Sequence, residues 1–478
     1  MFKPFLAACT TLFVAGLAVV PSADAALHWS AQYQVDGPEP PPFDAGGFFP
    51  TGNGYSMYAN STSTNASGQY SIPALARFNT SGDLLWSVYM DAGQDSSDQE
   101  LQAVFGNLDE FFAGYIDESN EVVKLSIYNT NLVAEYAVQF PVSAAEILNN
   151  SAQVSLDADD YATVLRNIGT TVKTLVLSET GAELVDKTFS SPLFSADTPG
   201  FVTQQALFDR LSGIDGYLLS VFIQRSFFDF SDPFNPVFGT TNTVVAVQLD
   251  DAGDINWATN FSLVSDLPVT PVQTLDENGN VVYILNDGIA GLGGQTNFAH
   301  VVKLNASGGL DWAKTIDDVV LTPARIVSSG VWISGTSSLS TNGTSDAVLL
   351  RLDGASGSLL AQATFDVGGA DFASYAGGSG SEIFFSLNSY GFDTNTFSAT
   401  NATGYVASAD ITLQNFTFRE YTPTNSAFSL LWHDPVNSCL IYSPIVAAST
   451  NALTNLTVIA LDENLATDAG CDFFDDAT

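Results

Sequence analysis

From Leu27 onward, apolar and polar residues alternate in short runs, and each run stops at a cluster of Asn, Asp, Ser and Gly. Period-two alternation puts every second side chain on one face, which is the pattern of a half-buried β-strand, and the Asn/Asp/Gly clusters between runs mark hairpin turns. The clearest stretch is 74–86 (ALARFNTSGDLLW): an apolar strand, a polar turn, and a second strand that carries tryptophan. The pattern returns at 244–257 and 301–312, and without the tryptophan at 122–134, 172–185 and 348–361. Fainter copies occupy 405–415 and 458–467. The eight copies follow one another at about 50 residues, with one gap of about 70, in the range of propeller and solenoid repeats.

Upstream of the copies lie further pairs of alternating segments, such as 152–165 around an acidic turn, 272–285 around Asp276 to Gly279, and 324–335 around Ser328 to Gly330. Each unit therefore holds four strands. A four-stranded unit repeated at this spacing predicts the blade of a β-propeller, a ring that leaves only short, protected sheet edges. Residues 27–33 (LHWSAQY) match the fourth-strand segment 84–90 (LLWSVYM) and are expected to complete or extend the last blade. The expectation is an all-β chain forming a single β-propeller over residues 26–478, with eight blades, or seven because the copies near each end are weak. A β-sandwich array would not need the same four-strand unit eight times, and a solenoid shares the repeat logic without closing. Helical periodicity of useful length is absent after the first 25 residues.

The turn-plus-tryptophan segments resemble the repeats of secreted bacterial β-propeller proteins, including those grouped with the quinoprotein-like (PQQ-like) propellers, in which a similar Asp/Gly turn precedes a tryptophan-bearing strand. The resemblance implies fold. It carries no catalytic residue, because the chain has neither an adjacent cysteine pair nor a haem-attachment CxxCH segment.

Residues 1–25 read as a secretory signal: Met1-Phe2-Lys3 is a short positive start, an apolar run follows to Val20, and Ala23-Asp24-Ala25 is a small-x-small cleavage site. The expected destination is secreted, periplasmic or cell-surface, with no membrane span in the mature chain. Lys3 and Asp24 cancel, so processing leaves the net charge at −39. Such a surface repels nucleic-acid phosphates and anionic lipid, which excludes both as expected partners. With 46% apolar and 12% aromatic residues, the chain has enough material for a core and is not read as disordered. Cys439 and Cys471 remain after processing; bridged, they would close a loop of about 30 residues worth roughly 3 to 4 kcal/mol, and the alternative is two free thiols.

Unit length varies mainly between the second and third strands, at 60–68, 224–242, 287–297, 337–344, 388–402 and 447–454. Those connections share one face of a propeller with the links between blades, so that face is the expected binding surface. The largest insertion, 225–238, carries Phe227, Phe228, Phe230, Phe234 and Phe238 with two prolines. Read as a loop, it either presents a contact patch for a protein or a carbohydrate, or folds its rings over the central channel. Asp91, Asp95 and Asp98 crowd one inter-unit link, and Asp157, Asp159 and Asp160 one turn. Solvated turns come first for both clusters and calcium ligation second; no other cofactor is expected. His28, His300 and His433 are the only histidines, and no GxSxG elbow accompanies them. The composition favours a non-catalytic binding or interaction module, with a carbohydrate-active or other hydrolytic propeller as the alternative and a structural subunit of an extracellular assembly as the third reading.

Overall fold

In a computed structural model, the described residues comprise strand backbones between Leu27 and Asp476 and many of their turns, with side chains chiefly within 171–190, 205–227, 239–287, 298–337, 345–391 and 402–421. Among them there is no helix, and every strand pairing is antiparallel. The strands form eight sheets. In chain order they span 43–89, 99–141, 152–190, 202–265, 269–317, 319–365, 370–421 and 426–462. Six are four-stranded and two contain a fifth strand. The chain is thus an all-β propeller built of four-stranded antiparallel sheets.

The first seven sequence copies are each the third strand, turn and fourth strand of a sheet, and the eighth begins in the third strand of the last. Four of the described turns share one chemistry. Asp250 Oδ1 accepts the N–H groups of Ala252 and Asp254, and Gly253 adopts φ 76°. Asn79, Asn305 and Asp410 do the same in their own units. A short acceptor side chain at the first position and a left-handed residue at the fourth make a three-residue hairpin connection whose twist suits the strands. In the two faint copies, leucine takes the left-handed position: Leu413 has φ 55° and Leu465 φ 49°. Both are buried, so hydrophobic transfer offsets the backbone strain, and the glycine signal vanishes from the sequence.

Successive sheets pack face to face. In the fourth sheet, Tyr217, Leu219, Val221 and Ile223 point toward Val172, Val176 and Val185 of the third. Leu218 and Phe222 point the other way, into Tyr283, Leu285 and Val302 of the fifth. A strand buried on both faces reads as a continuous apolar run, and this explains the sequence YLLSVFI.

The last sheet is completed from the other terminus, as the pattern at 27–33 predicts. Leu27–Gln34 pairs with Asn455–Asp462 as its fourth strand. The eighth copy is faint for this reason also, since the fourth strand of its sheet is supplied by Leu27–Gln34. Phe43–Thr51 of the first sheet contacts Ser426–Asp434 of the eighth. Phe474–Asp476 then adds a strand to the outer edge of the seventh sheet, against Phe416–Tyr421. The sixth sheet has a broken first strand, Val319–Leu321 and Arg325–Val327, both paired with Gly330–Ser337.

One expectation is corrected. The described parts of the insertion 225–238 and of the segments 60–68 and 388–402, namely 225–229 with 237–238, 60–65 with 68, and 388–393 with 398–402, are paired hairpin strand, not loop. Tyr217–Asp229 pairs with Val237–Leu249 without a break in register from Tyr217↔Leu249 to Asp229↔Val237. Gly54–Asn65 pairs with Gly68–Asn79, and Glu382–Asp393 with Ser398–Asp410. Thr, Ser and aromatic residues favour the pleated ladder, which satisfies the backbone groups that a loop would leave to water. The leader 1–25 and Cys471 lie outside the described residues; Cys439 begins the strand Cys439–Val446.

Candidate binding face

In every sheet the connection between strands two and three emerges at the same end as the link to the next sheet, because the strands alternate in direction. Among the described residues, three of those connections reach past their own sheets. In the fourth sheet, the first strand pairs as far as Arg225 and the fourth as far as Thr240. Beyond them Phe227–Asp229 pairs only with Val237–Gly239 and forms a two-stranded ribbon. The first and seventh sheets have ribbons at 62–65 with 68–71, and at 391–393 with 398–400.

The ribbon of the fourth sheet brings Phe228 opposite Phe238 in register and Phe227 opposite Gly239. A Cβ at Gly239 would lie 2.5 Å from the Phe227 ring, so glycine is what lets this half-buried ring lie across the ribbon. Phe230 and Phe234 lie outside the described residues, as do Asp91, Asp95, Asp98, Asp157, Asp159 and Asp160.

Beneath the ribbons, polar side chains hold the links on either side of the fifth sheet. Gln224 donates to the Val269 carbonyl, and Asn242 Nδ2 donates to Ser265 Oγ at 2.8 Å. Between the fifth and sixth sheets, Asn286 Nδ2 donates to the Leu321 carbonyl at 2.7 Å while its Oδ1 accepts the Leu321 N–H at 2.8 Å. Between the sixth and seventh, carboxylates occupy the corresponding place. Asp346 starts the third strand of the sixth sheet, Asp366 follows its fourth strand, and Asp371 is the second residue of the next first strand. A carboxylate oxygen of each lies within 4.8 Å of the others. Burial pushes the Asp371 carboxyl above the usual range; the Ser389 hydroxyl and the Val367 N–H oppose that shift, and the neighbouring Asp366 and Asp346 charges add to it. The sequence reading missed this cluster. The signal available was an inter-unit link with an aspartate at each end, Asp366 and Asp371; nothing near Asp346 in sequence points to them.

The other titratable groups are engaged elsewhere. His433 is buried against the Phe384 ring, and its Nε2 lies 2.7 Å from Glu463 Oε1, a pair that joins two turns at the opposite end of the last sheet. His300 Nδ1 lies 3.0 Å from Thr315 Oγ1. Burial lowers its pKa, the Asp287 charge partly restoring it, so the ring is neutral at neutral pH. It borders an open cleft of about 400 Å³ between the fourth and fifth sheets with Phe261, Leu263, Val302 and Lys314, and among the described residues no carboxylate lines that cleft. Asp209 is raised by burial and accepts from Gln273 Nε2 at 2.8 Å.

At the end opposite the ribbons, the tryptophans of the repeat fasten sheet to sheet. Trp257 Nε1 donates to the Ala306 carbonyl in the next sheet's turn, and Trp312 Nε1 to that of Gly354. Lys303 also donates to Gly354 O and Arg351 to Ile411 O, so some of the few basic residues serve these contacts.

No family model matches the sequence, and no curated protein matches it. Solved structures do. The β-propeller domain of the Trilobed protease from Pyrococcus furiosus is similar at 6% identity and a TM-score of 0.40, over 88% of this chain and 93% of that one. Prolyl oligopeptidase B from Galerina marginata, as the apo protein, is similar at 12% identity and a TM-score of 0.41, over 86% of this chain. The match spans 56% of that enzyme's length. The Synechocystis apocarotenoid oxygenase is similar at 10% identity and a TM-score of 0.36. The assignment of fold rests on the sheets described above.

Proposed function

We propose that the chain is an exported, non-catalytic propeller whose eight sheets are blades, and that it binds a protein or a carbohydrate at the cell surface through the face that carries the three ribbons. The observation that supports this reading most is the ribbon 227–229 with 237–239, which extends paired backbone and aromatic residues beyond the last rung of its sheet. A ribbon holds its rings at lower entropic cost than a loop, which is what a contact surface requires. A bridge between Cys439 and Cys471 would staple the last blade in an oxidising compartment.

The test replaces 229–237 with a two-residue turn and compares binding of the two proteins to intact cells and to an array of glycans. Binding by the parent, lost in a shortened variant that keeps its β-sheet circular dichroism, supports the reading. Cleavage of a glycan or peptide substrate by the parent would establish the hydrolytic alternative, and regular self-assembly of the purified chain the structural one.

A further inference from the structure

Between the sixth and seventh sheets, the Asp371 carboxyl has one oxygen that nothing satisfies, beside two further carboxylates. Asp346 is 8% exposed, Asp371 is fully buried, and Asp366 reaches the surface. Taking a carboxylate out of water costs several kcal/mol unless it is paired or coordinates a cation, and a second charge at this range adds to that cost. The backbone gives part of what is needed: the Val367 N–H donates to Asp371 Oδ2 at 2.7 Å, and the Gly368 N–H to Asp366 Oδ1 at 3.0 Å. Asp371 Oδ1 is sealed from solvent and receives no hydrogen bond. The Oγ of buried Ser345, adjacent in sequence to Asp346, is likewise without a partner, while the Ser345 carbonyl accepts the Asp371 N–H at 2.7 Å.

The geometry points to a site for one calcium-sized divalent cation held by Asp346, Asp366 and Asp371, tying the sixth sheet to the seventh. Calcium binds oxygen at about 2.3–2.6 Å, so oxygens on opposite sides of one ion are about 4.8 Å apart, and three oxygens within that spread fit one coordination sphere. The donors are all hard oxygens with no histidine or cysteine among them, which selects calcium or magnesium over zinc or copper. Exposed Asp366 provides the way in, and waters complete the six to eight ligands calcium takes. The Asp371 N–H bond to Ser345 already spans the two sheets; the ion adds a second crossing at the binding face. This inference is independent of what that face binds.

The test is calorimetric titration of calcium chloride into the chelator-treated full chain in high salt, which screens diffuse attraction to an acidic surface and spares a partly buried site. One equivalent of calcium is expected to bind. Asp371→Asn is expected to abolish that binding, and Asp366→Asn, a surface change that leaves the fold intact, to weaken it at least tenfold. Should Asp371→Asn fail to fold, the Asp366→Asn titration decides. Absence of salt-resistant binding in the parent, or unchanged binding in Asp366→Asn, overturns the site. Displacement of calcium by an equal concentration of magnesium overturns the assignment of ion size.

Discussion

The link between the fifth and sixth sheets and the link between the sixth and seventh meet the same requirement with different chemistry. In the first, Asn286 both donates to and accepts from the buried Leu321 backbone, so a single neutral amide leaves nothing over. In the second, three aspartates converge, and a carboxylate only accepts. The amide link is complete within the chain, whereas the carboxylate link is completed by something brought from solution. One fold can therefore hold successive sheets together either autonomously or conditionally, and the choice rests on a few side chains.

The largest expected effect lies at the autonomous link. Asn286→Leu strands the N–H and C=O of Leu321 away from water, at about 1–3 kcal/mol for each group. A drop of about 2–4 kcal/mol in urea unfolding, with an unchanged slope, is the expected result. A smaller loss would mean that the two links differ less than their geometry says.

At the conditional link, saturating calcium is expected to stabilise the parent by about 3 kcal/mol at a hundredfold excess over its dissociation constant. The readout is the thermal midpoint with and without chelator. Asp371→Asn should reverse the comparison: about 1 kcal/mol more stable than the parent without divalent ions, because a buried charge is gone, and less stable with them. A variant that is weaker in both conditions would mark Asp371 as structural only.

The turns at the opposite end of the same sheets provide a reference that no ion should alter. Gly308 has φ 78°, and a Cβ there would lie 2.5 Å from the Trp257 ring. Gly308→Ala is expected to cost about 2 kcal/mol from the left-handed backbone and the displaced ring, equally with and without calcium. Gly354→Ala, with nothing within 4 Å, should be close to neutral.

The smallest effect is at Asp410. Hydrogen bonds led by the Thr412 hydroxyl hold its carboxyl at about 2, below the model-peptide 3.8. A depressed folded-state pKa adds stability above about 3.8 that is lost as the pH falls toward 2. Asp410→Ala should lower the thermal midpoint slightly at neutral pH and not at all below pH 2. A loss that persists in acid would mean the turn depends on the shape of the side chain and not on its charge.

Much of the architecture was legible because hairpins are local. An Asp or Asn acceptor with glycine three residues later specifies its turn regardless of surroundings, and the alternation on either side specifies the strands. Even the strand at 27–33 could be matched to its role, since fourth strands share a composition. The tryptophans were visible, but not that Trp257 and Trp312 reach the next sheet's turn. The extended hairpins were misjudged because Ser, Thr and Phe at 224–242 suit a ribbon as well as a loop, and only cross-strand register distinguishes them. Of the acidic clusters, Asp91, Asp95 and Asp98 were singled out in the sequence and lie outside the described residues, while the converging set among the described residues, Asp346, Asp366 and Asp371, was not legible.

What the sequence determined by itself is the repeat: strand, turn and strand, each encoded within a dozen residues by local sterics and hydrogen bonding. The tertiary structure alone decided which units touch and which charges share a space. Asp346 and Asp371 meet because two sheets pack face to face, and Phe474–Asp476 pairs where an open sheet edge happens to pass. Packing is a property of surfaces assembled from distant segments, and no local pattern records it.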